Sequence, residues 1–219
     1  MFKKLDLHGI HCIAPVPGSR SPAWYWGSDF ASGDLYEAEE LFRGGHPVRG
    51  NRLVFVRYPE GRVVEPIAGR EGRYFGRPCF DGGRLYILLA DFPGGRIEIH
   101  RYDDGTGQTD LLAAIPLDQV PDCYNLLLFG SPLLLTRQGN DGKFQLLWPD
   151  RSEFPLEDSG AFLGRGEDGR LYFSRWFEEP DGSDYREEVV VRRYPAGEVL
   201  EVIPGTLWEM PDGQQWILQ

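Results

Sequence analysis

The stretch DGGRLYIL, residues 81–88, decides how this chain is read. A tight Asp-Gly-Gly turn feeds a run of leucine, isoleucine and tyrosine, the pattern of a strand leaving a turn. The pattern returns as EDGRLYF at residues 167–173, and more loosely as GNRLVFV at 50–56 and PDGQQWIL at 211–218. A turn-and-strand unit that recurs marks an array, and this outranks local propensity.

Working outward, WYWG (24–27) reads as a strand, with DLYEA (34–38) as its hairpin partner across Ser32-Gly33. Residues 52–58 pair with 62–67, and 84–90 with 96–102, with 110–115 as a further strand. Residues 126–129, 133–137, 144–148 and 153–156 make a set of four. Another set runs 161–163, 170–177, 187–194 and 198–203, and the C-terminus supplies 206–209 and 214–218. No helical stripe is expected anywhere.

Aligned on their second strands, the units start from Trp24, Leu53, Leu85, Leu133, Leu171 and Gln215, at separations of 29, 32, 48, 38 and 44 residues. Propeller blades have four strands and repeat at about 40–50 residues. The array, with its GRLYF-like second strands, resembles the β-propeller superfamily, in particular six-bladed bacterial members. The resemblance implies an all-β, compact propeller occupying residues 1–219 as one domain, with six blades and five as the variant. Residues 2–7, alternating Phe2, Leu5 and Leu7, are expected to form a strand that pairs with the C-terminal blade and closes the ring, removing an exposed edge.

Hydrophobic residues at 41% and aromatics at 13% place the chain among folded proteins. Nothing resembles a membrane span or a signal peptide, so a cytoplasmic location is expected. The net charge of −11 repels phosphate backbones and argues against nucleic acid as a partner. Of 23 basic residues only Lys3, Lys4 and Lys143 are lysines. Cys12, Cys79 and Cys123 lie far apart without a CxxC pair, which supports neither a disulfide framework nor a zinc site. All three are expected as buried, inert thiols.

Candidate chemistry concentrates on the longer loops at 69–78, 116–124 and 178–186, expected to share one face. In GREGRYFGRP, Arg70, Arg73 and Arg77 with Tyr74 suit a carboxylate or phosphate; the plainer alternative pairs these arginines with the chain's own carboxylates. In PLDQVPDCYN, Asp118, Asp122, Tyr124 and Asn125 suit a hard cation or acid–base work, and equally suit Asx turns. The ligand-binding set expected at one rim is Arg73, Tyr74, Arg77, Asp122, Tyr124, Asn125 and Trp176. No catalytic residue, metal site or cofactor is assigned, and no GxSxG, P-loop or GxGxxG unit occurs. The expected function is a non-catalytic scaffold binding a small polar ligand, peptide or protein on its long-loop face. The alternative is a small hydrolase or lyase acting on a carbohydrate-like substrate through channel carboxylates.

Overall fold

The computed structural model describes residues 2–19, 23–30, 34–157, 160–166, 168–182, 184–210 and 214–219. Among the described residues the chain is all-β apart from one short α-helix and a 3-10 turn. It falls into two compact units, Met1–Leu133 and Leu134–Gln219. Among the described residues no helix is long and apolar enough to cross a membrane.

The first unit opens with a sheet of β1 (Ala14–Pro15), β2 (Trp24–Ser28), β3 (Leu53–Arg57) and β4 (Arg62–Val64), in that order. Its second sheet runs β5 (Arg73–Phe75), β7 (Arg84–Asp91), β8 (Arg96–Asp103) and β9 (Gln108–Pro116). Strand β6 (Cys79–Asp81) shares the β7 edge with β5: Arg73 stands opposite Asp91, and Asp81 opposite Arg84. Strand β7 is buried almost without interruption from Leu85 to Ala90, as a strand covered on both faces must be. Val16, Trp24, Leu53, Phe55, Phe75, Leu85, Ile87, Leu89 and Tyr102 form one buried cluster.

A third sheet takes β10 (Leu126–Phe129), β11 (Leu134–Gln138), β12 (Lys143–Trp148) and β13 (Ser152–Pro155). The division between the two units falls in its first turn. A fourth takes β14 (Gly160–Arg165), β15 (Leu171–Glu178), β16 (Tyr185–Arg192) and β17 (Val199–Pro204). The hairpin β18 (Thr206–Glu209) and β19 (Gln215–Leu218) follows as a separate two-stranded sheet. In the second unit Phe144 packs against Phe154, Phe162 and Phe173 at centroid distances of 5.2, 4.8 and 5.0 Å. The Arg192 guanidinium lies 5.7 Å from the Phe154 and Phe173 rings.

The all-β class and the blade-like, four-stranded meanders agree with the sequence expectation, but among the described residues the sheets of four or more strands number four, not six or five. Two expected units merge, because Trp24–Ser28 pairs directly with Leu53–Arg57, and the last expected unit contributes only the β18–β19 hairpin. The strand expected at residues 34–38 is instead the start of helix α1 (Leu35–Arg43). Asp34 caps it by accepting the Tyr36 N–H at 2.8 Å, and Gly44 N–H closes it onto Glu40 O at 2.9 Å. Leu35, Ala38 and Glu39 are buried at helical spacing, and Phe42 stacks on Phe92 at 5.3 Å. The expected turn at Ser32-Gly33 lies outside the described residues. Residues 2–7 form no strand, so the expected ring-closing strand is absent; Lys3 instead donates to Glu60 O at the β3–β4 turn.

Candidate functional site

Most of the residues proposed from sequence are engaged in holding the first unit together. Arg73 on β5 is mostly buried and reaches Glu98 at 3.1 Å and Asp91 at 3.7 Å. Tyr74 is fully buried, edge-on to Phe30 at 5.2 Å, and its hydroxyl accepts the Val48 N–H at 2.7 Å. Arg77 is exposed between β5 and β6. Asp122 accepts the Tyr124 N–H at 2.9 Å, an Asx turn, and Asn125 adopts φ +44° immediately afterwards. Tyr124 packs edge-on to Tyr36 of α1 at 5.4 Å. Thus Asp122, Tyr124 and Asn125 share one turn, with Tyr124 against α1, while Arg73 and Tyr74 face the interior. Trp176 belongs to the second unit, where it is half-exposed on β15.

Two buried carboxylates anchor this scaffold. Glu98, in mid-β8, is 2% exposed and contacts Arg73, the Arg96 Nε and, at 2.7 Å, the His100 Nε2. Burial pushes its carboxyl up, but hydrogen bonds from His100 and Arg96 outweigh this and hold it below the ordinary glutamate range. Glu39 of α1, also 2% exposed, pairs with Arg43 and accepts the Cys123 N–H at 2.8 Å. Burial pushes the Cys79 and Cys123 thiols up and leaves them inert, whereas Cys12 is exposed, contrary to expectation.

The second unit presents a different kind of surface. Alternation along β15 and β16 sends Arg175, Phe177, Arg186 and Glu188 to one face, and Trp176, Glu178, Tyr185 and Glu187 to the other. On the first face the guanidinium groups of Arg175 and Arg186 lie 4.9 and 4.8 Å from the Phe177 ring centroid. Arg175 also bonds Glu188 at 2.8 Å. On the second face Trp176 stands directly opposite Glu187.

Glu187 ties this face to the terminal hairpin. The chain bends at Gly205, whose N–H donates to Glu187 O at 2.8 Å, and the Thr206 hydroxyl donates to the Glu187 carboxylate. A Cβ at Gly205, with φ +115°, would strike the Leu218 carbonyl, so this bend requires glycine. Thr206 and Trp208 share one side of β18, opposite Leu218 and Trp216 of β19. Trp176, Trp208, Trp216 and Tyr185 are 49, 55, 49 and 60% exposed. Tyr185 and Thr206 both bond the Glu187 carboxylate, Trp176 stands opposite Glu187, and Trp208 lies two residues beyond Thr206 on the same side of β18, paired with Trp216. Hydrogen bonds from Thr206 and then Tyr185 hold the Glu187 carboxyl below its usual range.

Of this surface only Trp176 was singled out from sequence. Trp208 and Trp216 flank Pro211-Asp212-Gly213 symmetrically, which is the signal of a cross-strand pair. A polar cleft of ≈ 550 Å³ lined by Asp168, Arg170, Arg193, Tyr194 and Glu201 lies elsewhere in this unit. Its charges are largely satisfied internally, Arg170 by Asp168 at 3.3 Å and Arg193 by Glu198 at 3.0 Å. Among the described residues no group of three or more His, Cys, Asp and Glu side chains is arranged to hold a metal ion. Searched against protein-family models and against curated proteins, the chain matches none.

Proposed function

We propose that this protein is a non-catalytic binding module on propeller-type blades, and that its partner is held by the aromatic surface of the second unit. The observation that carries this is the exposed Trp208–Trp216 cross-strand pair, joined to Trp176 through Glu187. Large apolar rings left in water cost free energy, and their pairing across an exposed hairpin marks an interaction site. The buried carboxylates that acid–base catalysis would call on, Glu98 and Glu39, are instead committed to arginine partners within the scaffold. The net charge of −11 disfavours a nucleic-acid partner.

The test is a panel of arginine-rich and glutamate-rich decapeptides and glucan oligosaccharides, followed through the indole N–H resonances of the folded chain. Trp176, Trp208 and Trp216 are expected to shift with at least one probe, while buried Trp24 stays fixed. If no probe moves these three, or if Trp24 moves with them, the surface is not the binding site.

A further inference from the structure

The partner's chemistry is legible in the way β15 and β16 sort their charges. Arg175, Arg186 and Arg192, all the arginines of these two strands, lie on the face away from Trp176, and β18 and β19 carry no basic residue. The arginine-bearing face is self-satisfied: Phe177 lies between two guanidinium groups, and Glu188 neutralises Arg175. The Trp176 face has the same two ingredients, aromatic rings and carboxylates (Glu178 and Glu187), and β15 and β16 place none of their own cations on it. Tryptophan is the strongest aromatic partner for a cation, and an adjacent carboxylate adds charge complementarity.

We propose that the face formed by Trp176, Tyr185, Glu187, Trp208 and Trp216 binds an extended polypeptide segment bearing arginine or lysine. This rests on the assignment of that face as the binding site. Incoming guanidinium or ammonium groups stack on the indoles and pair with Glu187, as Arg175 and Arg186 stack on Phe177 and Arg175 pairs with Glu188. The chain's overall negative charge draws such a segment in at long range, but the rings hold it.

The probe is a fluorescein-labelled decapeptide of alternating arginine and serine, titrated with the full-length protein and read by anisotropy. The same peptide with citrulline in place of arginine keeps the shape and removes the charge, and is expected not to bind. Trp208→Ala and Trp216→Ala should each weaken binding about two- to fivefold, and the double variant about tenfold. Trp208→Phe should recover part of the loss, and Glu187→Gln should cost about two- to fivefold. Generic attraction to an acidic protein would be indifferent to the tryptophans, so equal binding by the double variant, confirmed folded by its near-ultraviolet spectrum, overturns the proposal. Binding of the citrulline peptide as tightly as the arginine one overturns it too. If instead a glucan hexasaccharide binds and needs the same tryptophans, the binding site stands but the cationic partner falls. If sedimentation shows a dimer that the double variant abolishes, the occupant is a second copy. If no probe shifts the three indoles, both assignments fall.

Discussion

Replacing Asn51 with alanine should be among the most damaging single changes outside the apolar core. Asn51 is fully buried, and its side chain joins three elements. Its Oδ1 accepts the Phe75 N–H of β5 at 2.7 Å, while its Nδ2 donates to Ser28 Oγ at 2.8 Å and Asp29 Oδ1 at 3.0 Å. Asn51→Ala strands the buried Phe75 N–H, at about 1–3 kcal/mol. Ser28 is part-buried and Asp29 exposed, so both recover water and their lost bonds add about 0.5 kcal/mol each. The total is about 3 kcal/mol, which for a chain of this size lowers Tm by about 10 °C. Ser28→Ala removes one bond to the same amide and should cost less than 1 kcal/mol. Circular dichroism melts give the two shifts, and amide hydrogen exchange should show Phe75 losing protection in Asn51→Ala. A melt within about 2 °C of the parent, or a larger loss for Ser28→Ala, would refute the role of Asn51 as the staple between β3 and β5.

The remaining expectations concern charge, capping and thiols. Because the Glu98 carboxyl sits below its ordinary value of 4.5 in the folded protein, it contributes stability above that pH, and the contribution is lost as pH falls through its lowered value. Glu98→Gln should therefore cost about 2 kcal/mol at pH 7, by removing the nearer carboxylate from Arg73 and leaving it Asp91 alone, and the gap in urea midpoint from the parent should narrow below pH 4.5. Asp34→Ala should destabilise by about 1 kcal/mol through loss of the α1 cap, read as a lower urea midpoint at unchanged slope. A thiol-reactive chromophore at pH 8 should titrate Cys12 in the native protein, and Cys79 and Cys123 only after denaturation.

What could be read in the sequence was governed by local turns. The β7–β8 hairpin turns through Phe-Pro-Gly-Gly and the β12–β13 hairpin through Pro-Asp-Arg, and their strands lie where these short turns put them. Residues 34–38 were misread because a Gly beside a short apolar run suits a hairpin; the decisive signs were Asp34, the spacing of Leu35, Ala38, Glu39 and Phe42, and Gly44-Gly45. The blade count failed because direct pairing of β2 with β3 spans a long excursion that no local pattern reveals. For the candidate site, Trp176 was recognised as a strand-end aromatic, but its neighbours depend on the Glu187 register and the bend at Gly205, both tertiary. GREGRYFGRP reads as a loop in sequence; pairing of β5 with β7 turns Arg73 and Tyr74 inward.

The insertion of α1 between two neighbouring strands also bears on the order in which the first unit assembles. Closing β2 onto β3 spans 24 residues (29–52), whereas β7 and β8 are joined by four (92–95). The longer closure costs about 1.5 kcal/mol more chain entropy. The hairpin of Arg84–Asp91 and Arg96–Asp103 therefore nucleates first, and the N-terminal sheet closes last, once α1 has docked through Phe42 on Phe92. By the same asymmetry the N-terminal sheet is the first to open under stress, so amides of Trp24–Ser28 exchange before those of the β7–β8 hairpin, and a protease attacking the native protein finds its earliest cuts there.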